Sequence, residues 1–587
     1  MKILNKLNYI FNKKQKIQII ILLVMIVLGG FLELIGVSAI FPVVELILQP
    51  EVMEQNQYVS FLYDFFNAGS YDDFLHFMII LMIAIYIFKS IYLYGLYYIQ
   101  NTFTYLNQRE LSTKLLDIYL KQPYSFHLNN NSAELIRNIN ADVPTFYRLV
   151  MNALLLATDS ITAIMLLILL FSTDVVMTIS IVLAGLAFLG IYLGIVKKQI
   201  RKYGQKFRLY NAKMTQWLQQ ALGGIKETKI LKKENYFCDN YGINCEQYAK
   251  SYTNYYAVSS FPKYFIEAIC ITAILIVLLL KVRTGKDVQS IIPQLAVFAV
   301  AAFRLIPSMN KITVAIGEIM FASPSLDLIY HDIKEMNSMR NSMENISESI
   351  PNSPNELPFH DSIVVENVSF RYENADKDIL KQVSITIPKN KSVAFIGLSG
   401  AGKTTMADII LGLLQPNEGR VCVDGVDIKS NYEVWLDKVS YIPQAIYLCD
   451  DTIKHNIAFG ISDSEVDEDR LNRVIEEAQL QELIENQPNG VNTYIGENGM
   501  RISGGQRQRI GIARALYNCP EILILDEATS ALDTETEQAV MDAINVLQGK
   551  ITLIIIAHRL STTEKCDYVY KIVDGKAIVW RQNEEKK

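Results

Sequence analysis

The 587-residue sequence has few cysteines and no cysteine pair with the spacing of a metal site. Its seven cysteines are scattered and odd in number, so neither a disulfide framework nor a zinc site is indicated. A basic excess is also missing, because 55 Lys and Arg against 61 Asp and Glu leave a net charge of −6. That balance gives no support to a nucleic-acid binder. With 20% charged and 50% hydrophobic residues, the chain is too apolar to be disordered.

Long hydrophobic runs are absent downstream of residue 360 and frequent upstream of it. A helix needs about 20 residues to cross the apolar core of a bilayer. Six runs approach or exceed that length: 17–46, 77–103, 149–172, 175–196, 264–280 and 288–308. Six in succession favour a membrane domain over the buried helices of a large soluble protein. The first run continues past Val37-Ser38-Ala39, which resembles a cleavage site, so it is interpreted as a span and not as a signal peptide.

Lysines and arginines predict how these spans are oriented. The N-terminus and the loops 104–148 and 197–258 are basic, whereas the loop 49–73 has five acidic residues and no Lys or Arg. Both termini and the two long loops are therefore expected in the cytoplasm. The acidic loop contains the aromatic segment 58–66, which suits either a short helix on the outer leaflet or an ordinary aromatic anchor belt.

The character of the sequence changes after the sixth run. Residues 338–360 are rich in Ser, Asn and Pro, and beyond them short Val/Ile strands alternate with helical segments. The sequence therefore predicts an α-helical membrane domain with six transmembrane helices over 1–330, a linker over 331–360, and an α/β domain over 361–587. Helices two to five are expected to continue beyond the membrane as stalks.

The predicted strand 392–396 runs into the sequence GLSGAGKT and then into a helical segment, which is the context of a phosphate-binding loop. Its glycines let backbone N–H groups close around a phosphate, and the helix N-terminus adds partial positive charge. Lys403 is expected to reach the β- and γ-phosphates of ATP, and the Thr404 hydroxyl to bind Mg²⁺. The residues predicted to bind the nucleotide here are Gly397, Leu398, Ser399, Gly400, Ala401, Gly402, Lys403, Thr404 and Thr405.

A second predicted strand, 522–525, is entirely apolar and ends in Asp526 and Glu527. Carboxylates at the C-terminal end of a parallel strand lie where ligands of α/β sheets bind. Asp526 suits a Mg²⁺ shell, and Glu527 can act as the general base toward an attacking water.

A glycine-rich helix start, ISGGQ, occurs between these two motifs at 502–506. Its exposed N–H groups form a second candidate anion site. The residues assigned to it are Ser503, Gly504, Gly505 and Gln506.

In this order the motifs resemble the nucleotide-binding domain of ABC transporters, a phosphate-loop ATPase, with ISGGQ in place of the usual LSGGQ. The resemblance implies that Tyr372 stacks on adenine, that Gln444 belongs to the Q-loop, and that Asp533 lies in the D-loop. It makes His558 the switch histidine. ATP and Mg²⁺ are the implied cofactors, with Thr404, Gln444 and Asp526 as metal ligands and Glu527, His558 and Gln444 as catalytic residues. Because one chain has one phosphate loop and one ISGGQ cap, a homodimer with two shared ATP sites is expected.

The first half of the chain resembles exporter-type half-transporters. Its segments FLELIGVSAIFP, IYIFK, FPKYFIEA and AAFRLIPSMNKI resemble bacterial lipid-linked oligosaccharide flippases, in which basic residues serve the lipid pyrophosphate. Ionisable residues inside spans are costly and indicate function, and here they include Lys89, Lys263 and Arg304. These three are candidates for holding a phosphate-bearing headgroup. Lys263 and Arg304 are also near enough to the inner interface to snorkel.

Three acidic residues, Glu33, Asp159 and Glu267, also lie in the predicted spans and could neutralise these cations or bind cargo. The sequence thus predicts a multi-pass protein of the inner membrane that hydrolyses ATP to flip a lipid-linked oligosaccharide toward the outer leaflet. Its partners would be a second copy, the lipid-linked glycan and membrane lipids, with no nucleic acid.

Other functions remain open from the residues. An exporter of hydrophobic drugs, lipids or peptides is the alternative, although a drug exporter would not need the three cations. A non-transporting ATP-gated channel or regulator is the remote alternative. Such proteins often lose a catalytic residue, whereas Glu527, Gln444 and His558 are all present. A soluble ABC ATPase of translation or DNA repair is excluded by the six spans.

Overall fold

The structure, a computed structural model, describes residues 2–40, 43, 46–47, 63, 70–173, 175–283, 288–348, 357–373, 375–496, 499–526, 534–557 and 563–582. The chain forms two compact units. The helical unit comprises Met1–Gln122 and His127–Arg340, and the α/β unit comprises Pro123–Phe126 and Asn341–Lys587. The division after Arg340 falls inside the predicted linker.

The helical unit begins with α1 and α2, which are separated by a well-capped turn. Asn12 accepts a hydrogen bond from the Gln15 N–H at 2.8 Å, and the Gln15 side chain accepts one from the Asn12 N–H at 3.0 Å. This reciprocal capping box starts α2. From the N-terminus to Glu348, the described α-helices are α1 (Lys2–Ile10), α2 (Lys13–Ser38), α3 (Tyr71–Leu120), α4 (Tyr124–Asn129), α5 (Ser132–Arg137), α6 (Val143–Thr173), α7 (Val175–Gly223), α8 (Ile225–Ile230), α9 (Glu234–Arg283) and α10 (Val288–Glu348). A π-helical segment lies at Asn138–Asp142.

Several of these helices are far longer than a bilayer requires. Helices α3, α7 and α9 have 50, 49 and 50 residues. At 1.5 Å per residue each is about 75 Å long, against roughly 30 Å for the bilayer core. These three helices, which contain the second, fourth and fifth runs, therefore have the length that the predicted extensions require. Helix α6, which contains the third run, has only 31 residues. Helix α10 has 61 residues and continues to Glu348, so the first part of the predicted linker is helical.

Length and composition alone identify fewer spans than the sequence predicted. Among the described residues, four helices are long and apolar enough to cross a membrane, and a fifth is added if one bent pair counts as a single span. They are Lys13–Ser38, Tyr71–Leu120, Ser132–Ser172 and Leu305–Glu335, with Thr178–Tyr192 and Gly194–Gly223 as the bent pair. The six-span count is thus not confirmed in this part of the chain. The runs 264–280 and 288–308 lie within α9 and α10.

The α/β unit contains two sheets. The smaller is antiparallel and contains β1 (Ser362–Phe370), β2 (Leu380–Pro388), β4 (Glu418–Val423) and β5 (Val426–Asp427), in the order β2-β1-β4-β5. The larger contains β3 (Ser392–Ile396), β6 (Val439–Ile442), β7 (Ile522–Asp526), β8 (Thr552–Ile556), β9 (Tyr568–Val573) and β10 (Lys576–Gln582), in the order β10-β9-β3-β8-β7-β6. In the larger sheet every neighbouring pair is parallel except β9 and β10. The α-helices of this unit are α11 (Lys403–Ile410), α12 (Tyr432–Lys438), α13 (Ile453–Ile457), α14 (Glu468–Glu477), α15 (Gln481–Glu485), α16 (Gly504–Tyr517) and α17 (Thr534–Asn545).

Both faces of the larger sheet are covered, which explains why its strands are continuously apolar. In β7, Leu523 and Leu525 belong to one core cluster, while Ile522 and Ile524 belong to the other. Successive side chains of a strand point to opposite faces, so a strand buried on both sides needs an apolar residue at every position. The parallel strands β3, β6, β7 and β8 end at a common edge, where the predicted ATP-binding motifs follow them.

Candidate functional site

The predicted phosphate loop connects β3 to α11, and its glycines are required by local geometry. Gly402 has a φ of 102°, and a Cβ there would come within 3.0 Å of the Ile379 side chain. At Gly397 a Cβ would lie 2.5 Å from the carbonyl oxygen of Ile572. The loop can therefore adopt this tight path only with glycine at these positions.

Lys403 lies at the first position of α11 and is only 5% exposed. Its Nζ donates hydrogen bonds to the carbonyl oxygens of Gly397 at 3.0 Å and Leu398 at 3.2 Å. These contacts hold the ammonium over the loop. Because a phosphate oxygen forms a stronger, charge-assisted hydrogen bond than a carbonyl, the same ammonium can bind a nucleotide phosphate.

Thr404 and Asp526 come together beneath this loop. The Thr404 hydroxyl donates to Asp526 Oδ2 at 3.2 Å, although the two residues are 122 positions apart. A hydroxyl beside a buried carboxylate is an oxygen-only donor set, which is the kind that Mg²⁺ prefers. These two residues therefore fit the metal ion that an ATP site requires. Gln444 follows β6, whose Ile442 pairs in register with Leu525 of β7, so it leaves the sheet at the same edge.

Two further residues at this edge were missed by sequence reasoning. Tyr441 on β6 donates to Asp526 Oδ2 at 3.3 Å. On α11, burial and the Asp526 charge raise the pKa of Asp408 to about 6. Asp408 is four positions after Thr404 and so lies on the same helix face, a spacing that would have been the signal for it.

The predicted adenine-stacking residue is next to the phosphate loop. Tyr372 lies 3.3 Å from Thr405, hydroxyl to hydroxyl, and its ring meets Phe370 edge-on at 5.0 Å between centroids. The ring is thus held in place by one polar and one aromatic contact, at the loop that the sequence assigned to the phosphates.

Ser503 caps the N-terminus of α16. Its hydroxyl accepts from the Gln506 N–H at 3.3 Å, and the Gln506 side chain accepts from the Ser503 N–H at 2.9 Å. This capping box fixes the helix start while Gly504 stays exposed. An exposed helix start carries partial positive charge and N–H donors, as the predicted phosphate cap requires.

Glu527, Asp533 and His558 lie outside the described residues, as does the segment 58–66 apart from Tyr63. The ring of Tyr63 packs edge-on against Phe74 at 5.3 Å. The roles predicted for the first three residues, and for the 58–66 segment, remain predictions.

The three cations predicted to bind cargo have different surroundings. Lys89 on α3 is 2% exposed, and its Nζ lies 2.6 Å from Glu33 Oε2 on α2 and 4.4 Å from the Tyr86 ring centroid. Lys263 on α9 is exposed, with its Nζ 5.9 Å from the Tyr264 ring centroid. The side chain of Arg304 lies outside the described part of the chain. Of the three acids that the sequence offered as partners for these cations, Glu33 is the one that meets Lys89.

Comparisons with known proteins agree with these features. The family model for the ABC transporter matches residues 380–530, and the model for the ABC transporter transmembrane region matches residues 52–300. The ATP-dependent lipid A-core flippase of Cupriavidus pinatubonensis is 30% identical over 483 residues, which cover 81% of this chain and 79% of that protein. The flippase of the same name from Vibrio vulnificus is 31% identical over 466 residues, covering 78% and 77%.

A solved structure described as a bacterial Atm1-family ABC exporter with ATP bound superimposes with a TM-score of 0.76. The superposition covers 97% of this chain and 95% of that one, at 20% sequence identity. At this identity the likeness shows that the two chains share a fold. The helical unit and the α/β unit are therefore the membrane and ATPase domains of one polypeptide. The chain belongs to the ABC transporter family, as an exporter-type half-transporter.

Proposed function

We propose that this half-transporter works as a homodimer in the inner membrane, with both termini and the ATPase domain in the cytoplasm. It hydrolyses ATP to move a phosphate-bearing, lipid-linked saccharide from the cytoplasmic to the outer leaflet. The convergence of Lys403, Thr404 and Asp526 at one sheet edge carries the ATPase part. Relatives named as ATP-dependent flippases support a lipid cargo.

Each residue at the sheet edge has a distinct task in this proposal. The loop N–H groups and Lys403 bind the phosphates, and Tyr372 stacks on the adenine. Thr404, Asp526 and Gln444 hold Mg²⁺, which neutralises charge on the phosphates when bound. Glu527 accepts the proton of the attacking water as general base. His558 is a further catalytic residue by family resemblance.

A homodimer is needed because each chain has one phosphate loop and one Ser503–Gly505 cap. In the proposed dimer the loop of one chain faces the cap of the other across a shared ATP, with Asp533 at the same junction. Each half-site then supplies what the other lacks.

Mixing two damaged chains tests this arrangement. Lys403→Ala and Ser503→Arg homodimers should both be nearly inactive. A cross-linked heterodimer of the two has one doubly damaged site and one intact site, so its ATPase activity should return in part. If the heterodimer has no more activity than either homodimer, the sites do not share partners in this way.

The cargo part rests on the intramembrane cations Lys89, Lys263 and Arg304. Lys89 is shielded by Glu33 and by helices α2 and α3, so a headgroup can reach it only when these helices separate. A lysine ammonium has three donors and Glu33 takes one of them, which leaves N–H groups for phosphate oxygens. Lys263, which is exposed, is the more accessible cation.

A flipping assay in vesicles with a fluorescent lipid-linked saccharide tests the cargo. Lys89→Glu should abolish flipping, Lys89→Ala should reduce it and Lys89→Arg should retain it, while basal ATPase activity per folded, nucleotide-binding protein stays close to the parent's. Lys281→Ala, directly after the predicted span 264–280, is the matched control. If Lys89→Glu flips the lipid as fast as the parent, the cations do not hold the headgroup.

Export of a less charged amphipathic molecule is the second candidate. The observation that favours it is the Lys89–Glu33 pair, which neutralises one of the three cations inside the protein. Stimulation of the ATPase by uncharged amphiphiles, together with no stimulation by the lipid-linked saccharide, would identify this alternative.

A further inference from the structure

A partly buried polar clamp joins residues 446–459, the segment that follows Gln444, to α16, the helix that Ser503 caps. Arg514, about three turns along α16, donates from Nε to the carbonyl oxygen of Asn456 at 2.7 Å and from Nη1 to that of Tyr447 at 2.7 Å. Its Nη2 donates to Asn456 Oδ1 at 3.0 Å. The planar guanidinium thus holds two points of the segment at once.

Asn456 is fully buried, and its side chain closes the segment onto itself. Its Oδ1 also accepts from the Cys449 N–H at 2.9 Å, and its Nδ2 donates to the carbonyl oxygens of Cys449 at 3.1 Å and Thr452 at 3.0 Å. Every hydrogen-bonding direction of this amide is occupied. A fully satisfied buried network of this kind is rigid.

Apolar packing reinforces the clamp on the same face of α16. Gly511 lies against Ile446, so closely that a Cβ at Gly511 would be 2.4 Å from Ile446 Cδ1. The ring of Phe459 lies over the Arg514 guanidinium, 4.8 Å from its centroid. These contacts extend from two residues after Gln444 to the end of the segment.

We propose that Arg514 is a positioning residue for ATP hydrolysis. With Asn456 and Gly511 it makes the segment 446–459 and α16 move as one body, so that a displacement of Gln444 is passed to the Ser503–Gly505 cap. Packed cores switch between discrete arrangements instead of deforming smoothly, so such a displacement is transmitted. This inference rests on the proposed shared site, in which Gln444 and the cap of one chain serve different ATP molecules. The clamp therefore couples the two ATP sites of the dimer.

Kinetics of the full-length protein in vesicles test the clamp. Arg514→Ala should bind a fluorescent ATP analogue with nearly the parental Kd, because binding uses the phosphate loop of the same chain. Its kcat should fall by about 10²-fold, the usual cost of a small misplacement, and the Hill coefficient for ATP should fall to one. Arg514→Lys should lie in between, since an ammonium keeps the charge but not the fork. Arg473→Lys is the control, because the Arg473 guanidinium donates to the exposed Cys519 Sγ and not to the segment 446–459 in the described part of the chain.

A second pair of variants keeps the test valid if Arg514→Ala folds poorly. Gly511→Ala should lower kcat, and adding Ile446→Ala should restore it because the smaller side chain makes room for the new Cβ. The proposal is overturned if Arg514→Ala keeps the parental kcat, or if its turnover falls only in proportion to the folded, nucleotide-binding fraction. Ser503→Arg separates the two hypotheses: if it also turns over normally, the shared site itself is wrong, whereas its inactivity beside a normal Arg514→Ala refutes the clamp alone.

Discussion

The ATPase domain and the membrane domain each bury a lysine, and the two lysines have different partners. Lys403 donates to the carbonyl oxygens of Gly397 and Leu398, whereas Lys89 forms an ion pair with Glu33. These carbonyl groups are neutral, so they do not compensate the positive charge of Lys403, which can form an ion pair with a phosphate. The charge of Lys89 is compensated inside the protein. Burial of a cation is therefore a weak guide to function until its partner is known.

The largest effect is expected when the charge of Glu527, the predicted general base for ATP hydrolysis, is removed. Glu527→Gln should still bind Mg-ATP but should hydrolyse it about 10²–10⁴-fold more slowly, because an amide cannot accept the proton of the attacking water. Steady-state ATPase and nucleotide-binding measurements on the purified protein check this. Glu521→Gln is the matched control, since Glu521 pairs with Lys438 and Lys389 just before β7 and should affect stability only. Near-parental turnover in Glu527→Gln would remove the general-base assignment.

The next effect tests whether the membrane-domain lysine is held for packing. Lys89→Met leaves Glu33 buried without its cation, which typically costs about 3–5 kcal/mol. The double variant Lys89→Met/Glu33→Met should regain most of that stability, since an apolar pair can replace a buried ion pair. Thermal unfolding and the yield of monodisperse protein report the difference.

The double variant also sharpens the comparison. If it regains both stability and flipping, the Lys89–Glu33 pair serves packing. If it regains stability but does not flip lipid, Lys89 serves the cargo. A stable Lys89→Met single variant would show that the pair contributes little, contrary to its burial.

A smaller effect is expected at Ser503, which caps α16 and also belongs to the proposed phosphate-binding cap. Ser503→Ala removes the side-chain half of the α16 capping box and should cost about 1 kcal/mol of stability. Because the proposed cap faces ATP through backbone N–H groups, Ser503→Ala should retain more ATPase activity than Ser503→Arg. Ser503→Thr, which preserves the cap, should restore stability. Equal loss in the Ala and Arg variants would show that the hydroxyl itself is needed.

The smallest effect concerns His455, a half-buried histidine of the ATPase domain that lies between two carboxylates. The hydrogen bond that His455 Nδ1 donates to Asp451, with Asp463 beside the other ring nitrogen, holds the pKa of His455 above its usual value. The stabilisation that His455 gives to the folded state is therefore complete below about pH 6.5, the pKa of histidine in the unfolded chain. It is lost as the pH rises through the higher pKa that His455 has in the folded state. Below about pH 6.5 the free energy of unfolding of the parent should exceed that of His455→Gln by less than about 1 kcal/mol. The thermal midpoint of the parent should be higher by a corresponding small amount, and this gap should close as pH rises. A gap that does not change with pH would contradict the prediction.

Most of the ATP site could be predicted from the sequence because the ATPase motifs are short and contiguous. The phosphate loop needs glycine where a side chain would clash, as at Gly397, and the buried strands of a parallel sheet are apolar at every position. Both requirements concern residues that are neighbours in the sequence, so they can be recognised without the structure. The membrane character followed from the length of the apolar runs, whereas the count of six spans is not established by the described helices.

Only the tertiary structure decided which distant side chains meet. Nothing local links Lys89 to Glu33, 56 positions away, or Arg514 to Asn456, 58 positions away. Asp408 and Tyr441 were likewise overlooked because their relevance comes from Asp526, which the fold brings to them. A sequence determines which backbone shapes and which buried surfaces are possible. The partner of a buried charge is set by helix packing and strand order, and that partner decides whether the charge stabilises the fold or remains available to a ligand.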